Sequence, residues 1–410
     1  MDILFLDAYF YPENIAFSHL EWDILDGLKA AGHRVTVVCP TPSRGLSSDE
    51  IKRYKRIKQE SYKGIRIKRF WAPREGKNPI LRAIRYLWCN LREYAVGKQC
   101  RNADVLFAVS TPPTQGRIGG KLSKKLGIPF VYSIQDLFPD SLVSSGLARE
   151  NSVLFRLGKR MEKKTYRLAD KIIVLSDAMR KTITDRGVSE EKLEVVSNWI
   201  DTESVIPVEK EDNPLFEEYG LDRNKFNVVY AGNFGASQGA DIILRAADKL
   251  KDNRDISFVI FGGGTEFEKA KMFSKEKQLE NVKMFSLLSP EKTALVYSLG
   301  DIALITCKKG VGKTAVPSKL WSIMACNTPI IASFDTDSEL SRVLDDSGAG
   351  ICVEPENAEM LARSILDAEK RCKDLSEKET KVSPRDYLMR HASQKESVGL
   401  YVSCIENVKQ

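Results

Sequence analysis

The sequence predicts an α/β protein made of two doubly wound, parallel-sheet domains. Its length of 410 residues suits two domains at about 100–200 residues each. Short apolar runs alternate with amphipathic segments, as strands and covering helices do in a parallel sheet. That alternation breaks once, over residues 202–225, where Pro207, Pro214 and dense charge fall, and then restarts.

In the first half, Asp2–Asp7, Arg34–Cys39, Ala103–Ser110, Pro129–Ile134, Lys171–Ser176 and Leu193–Ser197 read as strands. Ser18 is placed to cap a helix running to Ala31, and Gly32 to end it. Thr114–Leu126 reads as a helix stopped by Gly127, and Asn151–Leu168 as another. In the second half, Asn227–Ala231, Ile256–Phe261, Val282–Phe285, Ile302–Thr306, Pro329–Ser333 and Gly350–Val353 read as strands. Asp241–Leu250 and 358–372 read as helices, and the tail from Pro384 as one or two more. The boundaries expected are 1–205 for the first domain, 206–383 for the second and 384–410 for a helical tail that crosses back onto the first. Ligands of such sheets bind beyond the carboxyl ends of the strands, so the site is expected between the two domains, in strand-to-helix loops.

Composition narrows the class. With 42% hydrophobic and 29% charged residues each half can build a full core. Asp2 and Asp7 stand where a secretory leader would be positive, and the apolar run Ile3–Leu6 is short for one. No apolar run approaches the roughly 18 residues of a membrane span. The 8 cysteines are scattered with no CxxC pair and read as free thiols of a reducing cytoplasm rather than a zinc site. The net charge of +7 is uneven: residues 44–101 hold 17 Lys/Arg against 5 Asp/Glu. Such a basic region is a footprint for an anionic surface. No nucleic-acid partner is read.

Several loops carry candidate chemistry. Gly232-Asn-Phe-Gly-Ala-Ser-Gln-Gly239 follows a strand and opens a helix. Its glycines let a ligand approach the backbone, although tight turns alone would also explain them, as they would Gly262–Gly264. Gly310–Thr314 imitates part of a phosphate-binding P-loop, but Cys307 stands where the first glycine belongs and Pro317 interrupts the helix. Val316-Pro-Ser-Lys-Leu320 opens a helix, with Pro317 suited to its first turn and Ser318 to its cap. Free N–H groups there and the Lys319 ammonium would suit a diphosphate; a plain capped helix is the alternative. Asp136, after a strand, puts a carboxylate at the site, or is a simple cap. Asn198 ends the first half in a turn. Asp335-Thr-Asp337 has an Asp-x-Asp form, and its loop setting argues against a metal. Of the 3 histidines, His19 lies near the start of the first helix and could face the site. None has an evident Ser or Cys partner for a hydrolytic triad.

Residues 78–101 read as a basic amphipathic helix. Leu81, Ile84, Leu87, Trp88, Leu91 and Ala95 recur at helical spacing, and Arg82, Arg85, Arg92 and Lys98 lie off that stripe. The stripe either packs on the domain's own core or docks on anionic lipid.

With these residues in place, the chain resembles a retaining glycosyltransferase of family 4 with the GT-B fold, in which two Rossmann-like domains face each other across a cleft. The markers are Phe10–Glu13, Gly32–Val37, Gln135–Ser141, Ser197–Asp201, Ala231–Gly235 with Gln238-Gly239, Val316–Lys319 and Met324–Pro329. They resemble most the bacterial capsule and O-antigen branch that includes the N-acetyl-L-fucosamine transferase. The chain departs from the broad family in lacking an Arg and a Lys in the Gly-rich turn, where Asn233 and Gln238 stand. It also lacks a pair of Glu eight positions apart, replaced by Thr314 and Ser322.

The resemblance implies transfer of a sugar, with retention, from a nucleotide sugar such as a UDP-sugar to a polyprenyl-diphosphate-linked sugar in surface-polysaccharide synthesis. It implies no cofactor and no metal, the leaving diphosphate being stabilised by helix dipole and cations. The location implied is cytoplasmic, peripheral on the inner face of the plasma membrane. Lys319, Ser318 and the helix start would hold the diphosphate, with Gly232, Asn233 and Gln238 beside them. Ser286 and Leu287 would read the base, and Glu339 the donor hydroxyls. Asp136 would accept or orient the acceptor's proton. An epimerase of the same fold acting on a UDP-sugar, and a catalytically silent partner subunit, are the alternatives.

Overall fold

The computed structural model describes residues 1–13, 17–76, 78–144, 148–150, 152–312, 316–374 and 383–408. The chain divides into two compact units, Met1–Asn198 with Lys395–Gln410, and Trp199–Gln394.

The first unit is built on an eight-stranded sheet. Its strands are β1 (Asp2–Leu6), β2 (Arg34–Pro40), β3 (Gln59–Tyr62), β4 (Ile65–Phe70), β5 (Val105–Val109), β6 (Phe130–Ser133), β7 (Lys171–Val174) and β8 (Leu193–Val195). The spatial order is β3-β4-β2-β1-β5-β6-β7-β8. Every pair is parallel except β3 with β4. β1, β5 and β6 are buried along nearly their whole length, as strands covered on both faces must be.

β3 and β4 lie inside the stretch whose dense charge hid them. In Ile65-Arg-Ile-Lys-Arg-Phe70 the apolar residues alternate inward, but the basic residues between them mask the two-residue period. Ser18 is the first residue of the helix Ser18–Ala30 rather than its cap. The helix expected from Asn151 begins at Val153, where the Ser152 hydroxyl accepts from the Phe155 N–H; Asn151 itself lies outside the described residues. Gly127 ends the helix Thr114–Leu126 at φ +69°, a left-handed conformation that glycine adopts without cost. The helix Gln394–Asn407 closes the unit: Val398 packs against Gly27, and the Tyr401 hydroxyl lies 2.8 Å from that of Ser133.

The second unit carries a six-stranded, all-parallel sheet. Its strands are β9 (Phe226–Asn233), β10 (Ile256–Gly263), β11 (Val282–Ser286), β12 (Ile302–Thr306), β13 (Ile330–Ser333) and β14 (Gly350–Val353). The order β11-β10-β9-β12-β13-β14 is the doubly wound arrangement, with its switch point between β9 and β12. One core, around Val229, Phe261, Leu304's neighbours Ala303 and Ile305, and Trp321, covers one face. The other, around Tyr230, Ile243, Phe258 and Leu361, covers the opposite face. Among the described residues no helix is long and apolar enough to cross a membrane.

Candidate active site

Strand register gathers the expected residues of the second unit at one edge. Gly232 at the end of β9 pairs with Gly262 of β10, and Gly262 with Ser286 of β11. The Leu287 N–H then donates to the Gly262 carbonyl at 3.0 Å. Ser286 and Leu287 are both exposed at this edge.

Lys319 enters this edge from the helix Lys319–Ala325. Leu320, Trp321, Ile323 and Met324 of that helix are buried and anchor it in the core. The Lys319 Nζ lies 4.1 Å from the centre of the Tyr230 ring, a cation–π contact. A Cβ on Gly232 would stand 2.5 Å from that Nζ, so the absence of a side chain at 232 makes the room. Among the described residues the ammonium has no hydrogen-bond acceptor and no carboxylate partner. Burial alone pushes it down to about 8, because the charged form loses hydration without gaining a counter-charge. The Tyr230 hydroxyl donates to the Asn233 carbonyl at 3.1 Å, so one buried tyrosine supports both the lysine and the Gly-rich turn. A tyrosine inside an apolar strand carries no sequence signal for this role, and the sequence reading missed it.

Asn233 and Gln238 converge over Gly235. A Cβ there would meet the Gln238 Oε1 at 2.6 Å and the Asn233 Nδ2 at 2.8 Å. Neither side chain has a hydrogen-bond partner among the described residues. Their amides therefore stand beside the turn with donors and acceptors unspent. The turn is tied to the end of β12 by the Lys308 N–H, which donates to the Ser237 carbonyl at 3.0 Å. Asp335 holds the following loop: its two oxygens accept from the N–H groups of Gly310 and Gly312, each at 2.8 Å. Its carboxylate thus serves as a backbone clasp.

Three expectations change in detail. Pro317 precedes the helix instead of opening it. Ser318 occupies the cap position but is exposed and makes no side-chain capping bond, because its backbone is already helical at φ −56°, ψ −28°. Lys319 is the first helical residue. Glu339 begins the helix Glu339–Ser347 beyond β13, two strands from β9, and its carboxylate is engaged by Arg342 of the same helix. Of the two positions that replace the Glu pair, Ser322 is half-buried in the Lys319 helix. Thr314, with the Lys313 of the P-loop-like run, lies outside the described residues.

The remaining candidates belong to the first unit. Asp136 follows β6 and is exposed, with no hydrogen-bond partner among the described residues. The surrounding protein, including Pro113, Ile134 and Phe138, still pushes its carboxyl above the ordinary range by desolvation. His19 is exposed in the first turn of the helix that follows β1. Asn198 lies just beyond β8, with its Oδ1 buried and without a hydrogen-bond partner among the described residues.

Two Rossmann-like units with their polar groups at the carboxyl edges define the GT-B fold of nucleotide-sugar-dependent transferases. Comparison with known proteins agrees. Residues 22–204 match the model of Glycosyltransferase Family 4, and residues 211–382 that of Glycosyl transferases group 1. The two halves of the chain thus match glycosyltransferase models, the first that of family 4 and the second that of group 1. It is 28% identical over 339 residues to WbjE of Pseudomonas aeruginosa, assigned as a glycosyltransferase, covering 82% of this chain and 83% of that one. It is 28% identical over 251 residues to WcaI of Escherichia coli K12, assigned as a glycosyl transferase of colanic acid biosynthesis, covering 60% and 61%. Among solved structures, HepE of Anabaena in complex with UDP superposes with a TM-score of 0.71 at 15% identity, covering 99% of this chain and 100% of that one.

Proposed function

We propose that the protein transfers a sugar, with retention at the anomeric carbon, from a UDP-sugar to a polyprenyl-diphosphate-linked saccharide during bacterial surface-polysaccharide synthesis. The observation that carries this reading is the half-buried, desolvated Lys319 ammonium, without a counter-charge among the described residues and held beside Gly232 on the Tyr230 ring. A cation without a counter-charge is costly in a folded protein, and a diphosphate is the counter-charge that suits the position. The Asn233 and Gln238 amides supply neutral hydrogen bonds to the same group. Ser286 and Leu287 flank the base, and Glu339 the donor hydroxyls.

As the donor's glycosidic bond breaks, negative charge grows on the leaving diphosphate. Lys319 stabilises that charge more than it stabilises the bound donor, which is what lowers a barrier. Asp136, whose carboxyl is raised by the desolvation that the surrounding protein imposes, receives or orients the acceptor's hydroxyl proton. WcaI's assignment to colanic acid biosynthesis and the UDP bound by HepE support the choice of pathway class and nucleotide.

The acceptor's lipid carrier calls for a membrane surface, and the basic helix Pro79–Gly97 supports one. Its apolar stripe points outward: Leu81, Ile84, Leu87 and Leu91 are all more than half exposed. The deciding experiment is mass spectrometry of products from a nucleotide-sugar panel, with and without lipid-linked acceptors. Release of UDP only in the presence of such an acceptor, with the sugar found on it, is expected. A new sugar isomer formed without acceptor, or no donor binding at all, would overturn the reading.

A further inference from the structure

The helix Pro79–Gly97 turns its apolar stripe to solvent and buries ionic groups instead, and three arginines there share a single carboxylate. Glu75 accepts from Arg44 Nε at 2.8 Å and Nη2 at 2.6 Å, and stands 3.0 Å from Arg82 Nε. Arg85 Nη1 is 3.9 Å away, beyond hydrogen-bond reach. That Nη1 is buried with no acceptor among the described residues, in a residue only 2% exposed. The Tyr9 hydroxyl completes the ring: it donates to Glu75 at 3.1 Å, accepts from Arg44, and lies 2.9 Å from the Tyr86 hydroxyl. Glu13 stands nearby: its Oε1 accepts from the backbone N–H groups of Ser43 and Arg44, and its buried Oε2, with no hydrogen-bond partner among the described residues, adds a second negative charge that reaches Arg85 and Arg44 without bonding either. Burial lifts Glu75, and the arginines and Tyr9 more than offset that, holding its carboxyl below the usual range.

A planar guanidinium prefers a two-oxygen anion. Three of them converge on Glu75, and Arg85 has a hydrogen-bond direction left over. The ring therefore has more donors than its resident carboxylate can use. Arg44 and Arg82 keep about two-fifths of their side chains open to solvent, so an incoming anion has access.

What surrounds the ring says which anion. The exposed stripe of the same helix begins at Leu81, next to Arg82. Trp88 stands edge-on to Trp71 at 5.7 Å, its Nε1 donating to the Trp71 carbonyl at 2.9 Å. Trp71 and Trp88 are both exposed, and a tryptophan with its indole N–H satisfied, as that of Trp88 is, suits a membrane interface.

We infer that Arg44, Arg82 and Arg85 form a binding site for the diphosphate headgroup of a polyprenyl carrier, in which Glu75 holds the place of the phosphate and the outer face of the helix meets the lipid chain. The inference rests on the proposed transfer to a lipid-linked acceptor and supplies the residues that would read that acceptor.

The test is co-sedimentation of the full chain with two kinds of phosphatidylcholine vesicle, one doped with a polyprenyl diphosphate and the other with phosphatidylglycerol to the same surface charge. Arg44→Ala and Arg82→Ala are expected to weaken binding to the diphosphate vesicle about tenfold or more, and to the phosphatidylglycerol vesicle about threefold or less. Glu75→Gln, which keeps the shape and removes the competing charge, should strengthen diphosphate binding several-fold. Equal losses on both vesicles, or no gain from Glu75→Gln in a protein of unchanged thermal midpoint, would overturn the assignment and leave only surface electrostatics. Inorganic pyrophosphate, titrated into the Lys319→Ala protein so that the second unit does not compete, should bind at least about tenfold more weakly than the vesicle. Equal affinity would mean a free-phosphate site. Calorimetry of UDP on the wild-type chain separates the two claims: failure of UDP to bind sinks the transfer reading without touching the vesicle result.

Discussion

The Lys319 ammonium rests 4.1 Å from the centre of the Tyr230 ring, with the bare backbone of Gly232 beside it. Few arrangements keep a lysine charged while withholding every carboxylate from it. The tyrosine face offers partial compensation, and the rest of the cost falls on the fold until an anion arrives.

Removing Lys319 should therefore separate binding from stability. Lys319→Ala is expected to weaken UDP binding about 10- to 100-fold, the worth of one or two charge-assisted hydrogen bonds. Asp136→Ala, in the other unit, should change it by less than about twofold. Lys319→Met, which fills the space without the charge, should leave the free protein as stable as wild type at pH 7, or more so by about 1–2 kcal/mol. Calorimetry with UDP and a thermal melt decide this. Equal, small effects of both substitutions on UDP binding would remove Lys319 from the donor site.

The same burial fixes a pH dependence. Lys319 is held down to about 8 against an ordinary lysine near 10.5. Between these values the unfolded chain binds more protons than the folded one, so stability contributed by this group rises with pH across that window and is lowest below 8. Anion binding works the other way. A bound diphosphate favours the charged ammonium and lifts it, so complex formation takes up a proton and UDP affinity declines as pH climbs above 8. Calorimetry in buffers of differing ionisation enthalpy should register that uptake near pH 8.5 in wild type and lose it in Lys319→Ala. Uptake of equal size in both would assign the proton elsewhere.

Gly232→Ala probes the packing rather than the charge. Its added methyl would sit 2.5 Å from the Lys319 Nζ, and the residue has φ +156°, which L side chains rarely adopt. The ammonium at the end of a flexible chain gives way first, so the variant should fold, lose about 1–2 kcal/mol, and bind UDP about tenfold more weakly through Lys319's displacement. Combined with Lys319→Ala, it should cost little further affinity. Additive losses would mean that Gly232 contacts the nucleotide independently.

Most of the second unit's edge was legible because it depends on residue type and strand register together. The glycines at the ends of β9 and β10, the exposed Ser286-Leu287 at the end of β11 and the lysine that begins the helix behind Pro317 all lie at strand ends and helix starts that a doubly wound sheet sends to one side. What the sequence did not disclose depends on packing between distant segments. Tyr230 looks like any strand tyrosine until Lys319 is folded over it. Asp335 has the form of a metal ligand and turns out to clasp Gly310 and Gly312. The arginine ring draws on loops at 44 and 75 and a helix at 82–85, and no spacing rule joins those positions. The helix itself was found by its period, but amphipathicity gives a stripe without saying which side meets the core. Here Arg85 and Glu93 go inward, which apolar periodicity alone would assign the other way round.

That reversal leads to a membrane prediction distinct from the arginine ring. Leu87 and Leu91 are 64% and 69% exposed, so burying them in a lipid headgroup region is favourable by roughly 25 cal/mol per Å² of apolar surface removed from water, while changing them costs the folded chain little. Leu87→Glu with Leu91→Glu should hold the thermal midpoint within a few degrees, and should lower co-sedimentation with phosphatidylglycerol vesicles about tenfold or more, because it removes apolar contact and adds like charge to the lipid. Wild-type binding should fall steeply as salt rises, since the basic stretch from Arg44 to Arg101 supplies the long-range attraction. The double variant should keep the salt dependence while losing affinity, because charge brings the protein to the surface and the leucines hold it there. If the variant binds as tightly as wild type, the exposed stripe does not touch lipid and the attraction is electrostatic alone. If the wild type ignores salt, the basic region plays no part, and the helix meets something other than an anionic membrane.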